Sequence, residues 1–341
     1  MREKFTPARP TGSDDPEREP AGQDGVSRRQ ALGLGAGAAA VAGAALLPGT
    51  AGAQDARLIR RRAPEDLVPR QNIGIQLYSL RDLQAASVQN TINLLGGIGY
   101  PEVELFTLQG QTAATWRGIL EGANVRAVAA HVGIDRWRND LDTVLNEAET
   151  LGMQYVGVPG IFPNPPATRE TYRALAREFD RYAERVADRG MRFYYHNHNY
   201  EFARDGGTRL FDILLDRTDP DLVFFELDLY WMVTAGVDPL DYLGRFDQSR
   251  FPLFHVKDRD AAGNFADLGE GNINFGRIFR ELQNKHYHHY IVERDTQPNP
   301  ARTAAVGYEY LRDLRGSRRR RPYTTTEAGG SASVARAGRT T

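Results

Sequence analysis

Seven histidines occur in the chain, and four of them (His131, His196, His198 and His255) close short apolar, strand-like runs. Carboxylates stand at or near the ends of other such runs, Asp228 and Glu293 among them, and Glu104 lies within a third, EVELF at 102–106. Imidazole and carboxylate oxygen, with no cysteine anywhere in the 341 residues, are the donors that suit one divalent cation such as Mn2+, Mg2+, Co2+ or Zn2+. Asp228, His255 and Glu293 come from three successive runs, so neighbouring strands would bring them together. A fourth donor is expected from the preceding run, YHNHNYEF at 195–202. Glu201 offers an oxygen, while His196 and His198 share one face of a strand by its period of two, and the three stand as alternatives. A lone histidine or acid at a strand end is more often a satisfied core group, and the HNH run also fits a hydrogen-bonded core cluster. Agreement among five run ends tips the balance toward a site.

Such a cation polarises a carbonyl, and a neighbouring base can then take the proton from the adjacent carbon through an enediolate. Returning the proton gives an isomerase or epimerase; expelling a leaving group gives a lyase or dehydratase. Glu293 and His198 are the expected acid/base groups. Lys257 joins them because lysine is scarce: only Lys4, Lys257 and Lys285 occur, and arginine supplies every other cation. A compact ammonium two residues beyond His255, on the same strand face, can hold a substrate oxygen or move a proton. Gln76, Glu104, His131 and His196 are expected to bind hydroxyls. Tyr78, Trp231 and Phe106 would form an apolar wall, although any one aromatic is more often ordinary packing.

Positioning these side chains requires the runs to be strands of one sheet. Eight runs (73–80, 102–106, 125–132, 155–161, 192–198, 222–229, 252–256 and 290–293) alternate with helical patterns whose apolar residues recur three and four apart. Gly152, Gly190 and Gly244 fall near helix ends, where left-handed caps are expected. Strict alternation argues for an α/β fold with a parallel sheet, and eight units over about 245 residues predict a single (β/α)8 TIM barrel. A doubly wound sheet competes, but no G-x-G-x-x-G follows any run. In a barrel, the polar run ends collect at one mouth.

The rest of the chain reads as outside the barrel. Residues 1–53 are expected to be a disordered n-region and a signal peptide: Ser27-Arg28-Arg29-Gln30-Ala31-Leu32, an Ala/Gly/Leu run to Leu47, and Ala51-Gly52-Ala53 before a cut near Ala53. The paired arginines resemble the twin-arginine export address, which implies the twin-arginine export machinery as partner and an exported, extracytoplasmic protein. An uncleaved anchor is the alternative, disfavoured because the apolar run is short for a bilayer. Residues 54–71 read as linker, 72–315 as barrel and 316–341 as a disordered Arg/Ser/Thr/Gly tail. With 43 Lys+Arg against 44 Asp+Glu, no basic footprint for nucleic acid is present. Zero cysteine removes disulfide scaffolds, thiolate metal sites and cysteine nucleophiles.

IGIQLYSLRD at 73–82, YHNHNYEF at 195–202, ELDLYW at 226–231, HVKD at 255–258, DLGEGNINFGRIF at 267–279 and VERD at 292–295 together resemble the sugar isomerase/epimerase family with a xylose-isomerase-like TIM barrel. The resemblance spans about residues 71–315. It implies one divalent metal held by Glu, Asp, His and Glu from strands five to eight, which maps onto Asp228, His255 and Glu293. His196 stands at the strand position of the fifth-strand glutamate, and Glu201 follows later. It also implies a sugar or sugar-like polyol as substrate. An export signal argues for an unphosphorylated sugar, cyclitol or keto-glycoside. Two other classes are a DNA-repair endonuclease, which would need more metal ligands and a basic face, and a non-catalytic exported sugar-binding protein.

Overall fold

The computed structural model describes residues 65–162 and 167–316; the expected leader 1–53, the linker as far as residue 64 and the tail from residue 317 lie outside the described residues. Eight parallel strands close into a barrel: β1 (Ile73–Gln76), β2 (Glu102–Leu105), β3 (Arg126–His131), β4 (Tyr155–Val158), β5 (Arg192–His196), β6 (Val223–Asp228), β7 (Leu253–Val256) and β8 (His289–Val292). Each pairs with its sequence neighbours, and β8 returns to β1 with Ile73 opposite Tyr290. Every strand is buried on both faces, and most read as apolar runs; β2, EVEL, is the exception, with two glutamates on its inward face.

Alternation along each strand separates two layers. Inward residues, among them Tyr155, Tyr194, Phe224, Leu253 and Ile291, fill the cylinder as their own cluster. Outward residues such as Leu105, Val156, Tyr195 and Val256 pack under the helices in the main core. The long helix Arg169–Ala187 shows how the outer layer is made. Tyr172, Leu175, Phe179, Tyr182 and Val186 give it one buried stripe, and Thr168 caps it by accepting from Thr171 N.

All eight expected strands are present, but most are shorter than the apolar runs. The first stops at Gln76 and becomes a 3-10 turn over Leu77–Leu80; the fifth stops at His196 rather than His198. Three short helices (Arg81–Ala86, Ile134–Asn139 and Leu229–Thr234) were not anticipated, because six residues give too little periodicity to read. Gly152 is a left-handed cap with φ 68°, whereas Gly244 lies inside the helix Pro239–Arg245 and caps nothing. Residues 65–71 are not linker: Leu67 and Val68 are buried, and Leu67 N donates to Leu314 O at 3.2 Å.

Candidate active site

Asp228 is the last residue of β6 and caps the helix Leu229–Thr234, with Oδ1 accepting from Trp231 N at 2.9 Å. That bond fixes the carboxylate and leaves Oδ2 aimed inward. Asn197, buried just beyond β5, locks the two strands together at this level: its Oδ1 accepts from Asp228 N at 3.1 Å. One strand further round, His255 projects into the barrel from β7. Its Nδ1 lies 2.8 Å from Glu293 Oε2, just past β8, and its Nε2 lies 2.6 Å from Glu104 Oε2 on β2. Lys257 completes the group, with Nζ 2.6 Å from Glu293 Oε2, 2.8 Å from Asp295 Oδ1 and 3.0 Å from Asp228 Oδ2.

A second knot of charge lies beside it. Glu226 Oε2 sits 2.8 Å from His131 Nε2, 3.0 Å from His196 Nδ1 and 3.2 Å from His255 Nε2. The two knots share His255, so the cluster is continuous across the barrel.

Burial and charge pull these groups in opposite directions. Burial works against the imidazolium of His255, but Glu226, Glu293 and Glu104 overcome it and hold its pKa well above the ordinary value. His131 is raised in the same way, against burial, by Glu104 and Glu226. His196 goes the other way, lowered by burial and by the neighbouring His255. Burial, with the Lys257 charge, takes His198 down to about 3. Asp228 is pushed up to about 6 by burial, against the pull of Lys257. Burial also opposes the charge on Lys257, yet Asp228, Glu293 and Asp295 keep it firmly protonated.

Asp228, His255 and Glu293 each offer a donor atom within 4.8 Å of the others, as do His131, His196, Glu226 and His255. Two buried oxygens in these groups, Asp228 Oδ2 and Glu226 Oε1, make no hydrogen bond. For Asp228 Oδ2 the Lys257 ammonium is close enough for an ion pair but approaches at an angle that makes no hydrogen bond. Buried carboxylate oxygens left in this state, next to an imidazole, fit a divalent cation.

Above the cluster opens a cavity of about 390 Å3. His131, His196, His198, Lys257, Glu293 and Asp295 line its polar side; Tyr78, Phe106 and Phe162 line the other. Tyr78 and Phe106 meet edge to face at 5.3 Å, which holds both rings in place.

Most of the expected residues therefore converge, but not all in the expected roles. Glu201 stays away from the cluster. Its carboxylate accepts from Tyr195 Oη at 2.7 Å and His198 N at 2.9 Å, because the chain has turned out of β5 by then and Glu201 faces the outer layer. His196 is the fifth-strand side chain that reaches the cluster, with Nε2 3.8 Å from Asp228 Oδ2. Gln76 and Glu104 are fully buried beneath the cavity, Gln76 Nε2 donating to Glu104 Oε2 at 2.8 Å, so neither is placed to touch a substrate. Trp231 stands behind His198, ring centres 5.6 Å apart, rather than on the cavity wall. Glu226 and Asp295 were missed. Glu226 shares a strand face with Asp228, and Asp295 follows Glu293 by two residues just past β8, so the period of two was the available signal.

Comparison with known proteins gives the same frame. Over 166 residues the chain is 28% identical to an inosose dehydratase of Clostridium perfringens, a match covering 42% of this chain and 55% of that one. The chain thus spans about half the length of the curated relatives it matches. A sugar phosphate isomerase/epimerase from Parabacteroides distasonis superposes with TM-score 0.61 at 23% identity, over 70% of this chain and 93% of the other. A probable 3-DHS dehydratase from Bacillus anthracis gives 0.57 at 14%, over 70% and 98%. At such identities these two structures speak to the fold. Residues 98–314, well over half of the chain, match the family model for the xylose isomerase-like TIM barrel, and the chain belongs to that family.

Proposed function

We propose that the protein is a divalent-metal-dependent enzyme that removes the proton next to the carbonyl of a sugar-like substrate, as an isomerase or epimerase. One observation carries this reading: of the trio Asp228, His255 and Glu293, Glu293 alone both belongs to the cation-binding group and lines the cavity. A cation held there by Asp228, His255 and Glu293 would supply Lewis-acid polarisation of the substrate carbonyl. The remaining work falls to the chain. Glu293, held by His255 and Lys257 and lining the cavity, is the carboxylate available to take the adjacent proton. His198, on the cavity wall and neutral at physiological pH, can hydrogen-bond a substrate oxygen. His131 and Asp295 are placed to bind hydroxyls, and Tyr78 and Phe106 to cover the ring's apolar face.

Dehydration is the second reading, and Lys257 is what favours it. An elimination needs an acid for the departing hydroxyl beside the base, and the Lys257 ammonium lies 2.6 Å from Glu293. The curated relatives carrying the name inosose dehydratase support the same alternative.

The paired Arg28 and Arg29 before an apolar run support export, and an exported enzyme meets unphosphorylated substrates. The Gly-rich loop after β7 supports this independently. The N–H groups of Gly269, Gly271 and Ile273, which would otherwise suit a phosphate, donate to Asp258.

The test is deuterium incorporation from heavy water into free sugars, inosose and their phosphorylated counterparts, with Mn2+ present. Exchange at the carbon next to the carbonyl should occur with an unphosphorylated compound and fall at least about 100-fold in Glu293→Gln. Loss of water from the product would select the dehydratase; faster exchange with phosphosugars would overturn the substrate class. Sugar binding without exchange, indifferent to chelator, would mean a binding protein.

A further inference from the structure

Glu201 is fully buried outside the cluster, and hydrogen bonds alone oppose the effect of burial on its charge. Among the described residues no Lys, Arg or His side chain forms an ion pair with it. A buried carboxylate without a counter-charge is costly to keep. The groups it holds are specific. Its Oε2 accepts from the backbone N–H of His198 at 2.9 Å, and its Oε1 from Tyr195 Oη at 2.7 Å. Tyr195 belongs to β5 and His198 lies two residues past the end of that strand. The carboxylate therefore ties the turn 197–202 back onto the strand it has just left.

The side chain that this turn presents is walled by rings. Tyr200, from the same turn, lies parallel to the His198 ring at 5.5 Å, with 6° between the planes. Trp231 stands 5.6 Å away, and Phe162 meets the ring edge to face at 5.0 Å. Gly160 closes the edge that carries Nδ1, since a Cβ there would come within 3.2 Å of that nitrogen. Nδ1 is accordingly buried and makes no hydrogen bond, while the ring lines the cavity and leaves Nε2 as the nitrogen that can face it. An imidazole carries a proton on at least one nitrogen. A buried N–H with no acceptor is rarer than a buried bare acceptor, so that proton belongs on Nε2.

We propose that Glu201 is a positioning residue: by anchoring the turn 197–202 it holds His198 in one tautomer, with Nε2–H donating to the substrate oxygen that becomes negative as Glu293 takes the neighbouring proton. This rests on the proton-abstraction reading above and adds the group that meets the developing charge. The imidazole gives up no proton in the step. It donates a hydrogen bond that is stronger to the oxyanion than to the ground-state carbonyl, and so acts on the rate more than on binding. The same tautomer sets a preference for an acceptor, such as a carbonyl oxygen, opposite Nε2.

The first measurement needs no substrate: nitrogen NMR of the full chain with isotope-labelled histidine and Mg2+ at neutral pH, the His198 signals being assigned by their loss in His198→Gln. Wild type should show a protonated Nε2 and a bare Nδ1. Glu201→Ala should average the two tautomers of His198 and leave the other histidine signals in place. Glu201→Gln, whose amide oxygen can still accept from His198 N, should restore the single tautomer. Tyr195→Phe removes only one of the two donors to Glu201, should give the same change at smaller size, and serves if Glu201→Ala does not fold. A bare Nε2 in the wild type would overturn the donor; His198 signals unmoved in Glu201→Ala and Tyr195→Phe would overturn the positioning role. The second measurement is the deuterium exchange described above. In His198→Asn kcat should fall about 100-fold with KM within about three-fold, and His198→Gln, whose amide N–H reaches the place of Nε2, should recover about ten-fold of that loss. Equal losses in the two variants would overturn the oxyanion role. Exchange with no compound at all would instead overturn the sugar reading, and the tautomer would still be decided by NMR.

Discussion

Lys257 is 1% exposed and faces three carboxylates, in a chain that otherwise uses arginine for almost every positive charge. Its small head fits where a planar guanidinium would collide with Asp228 or Glu293. Lys257→Met should leave the buried Asp228 and Glu293 with His255 alone to balance them, and Asp295 without its ion-pair partner. Activity should fall by about 100-fold or more, and stability by roughly 3–5 kcal/mol. Lys257→Arg should not restore either, as steady-state kinetics and urea unfolding would show; near-normal activity in that variant would remove the argument for a point charge. Lys257, Asp228, His255 and Glu293 were legible in the sequence because each is a polar residue at the end of an apolar run. Glu201 was misplaced for a physical reason: sequence spacing continues smoothly through 195–202, while the backbone leaves the strand at His196 and reverses which way later side chains point.

The loop after β7 shows how an element is held from a single residue. Asp258 accepts backbone N–H groups from Arg259, Gly269, Gly271 and Ile273, at 2.9 to 3.1 Å, and so folds residues 259–273 around one carboxylate. Gly271 is required there, since a Cβ would run into the Asp258 carboxylate and the Arg259 carbonyl. Asp258→Ala leaves four donors without a partner, at a cost of about 1–3 kcal/mol for each that stays buried. The variant should lose at least about 3 kcal/mol in urea unfolding, and the loop should become the first site of proteolytic cutting. Unchanged stability would mean that water replaces the carboxylate. The sequence displayed HVKD and DLGEGN as separate motifs, and only the fold reveals that one exists to hold the other. The strands were readable because their outward faces are apolar and most inward faces stay apolar until the barrel mouth. Their ends were overestimated because polar residues at a barrel mouth keep alternating after hydrogen bonding to the sheet has stopped.

At the scale of the whole barrel, stability should depend on pH through His288, far from the cluster. Burial lowers its pKa to about 4, although the carbonyl of Phe251, 2.9 Å from Nδ1, acts in the opposite direction. A group whose folded pKa is depressed binds its proton more readily when unfolded, so acid favours unfolding. Stability from this residue is complete above about pH 6.5 and declines as the pH falls toward 4, by roughly 3 kcal/mol in all. Urea midpoints at pH 7.5 and 5 should differ, and the difference should shrink in His288→Gln; an identical slope in the variant would assign the effect elsewhere.

The pairing of β8 with β1 joins residues more than two hundred positions apart, Ile73 with Tyr290. Contacts of such span form late, after the entropy of a very long loop has been overcome. Glu293 follows β8 directly, so the cavity-lining carboxylate proposed to hold the cation arrives with the strand that closes the cylinder. On the proposed function, the nascent protein should therefore be inert until its final strand is available. A chain interrupted before residue 289 would have neither a sealed barrel nor Glu293, the carboxylate on which the proposed chemistry turns.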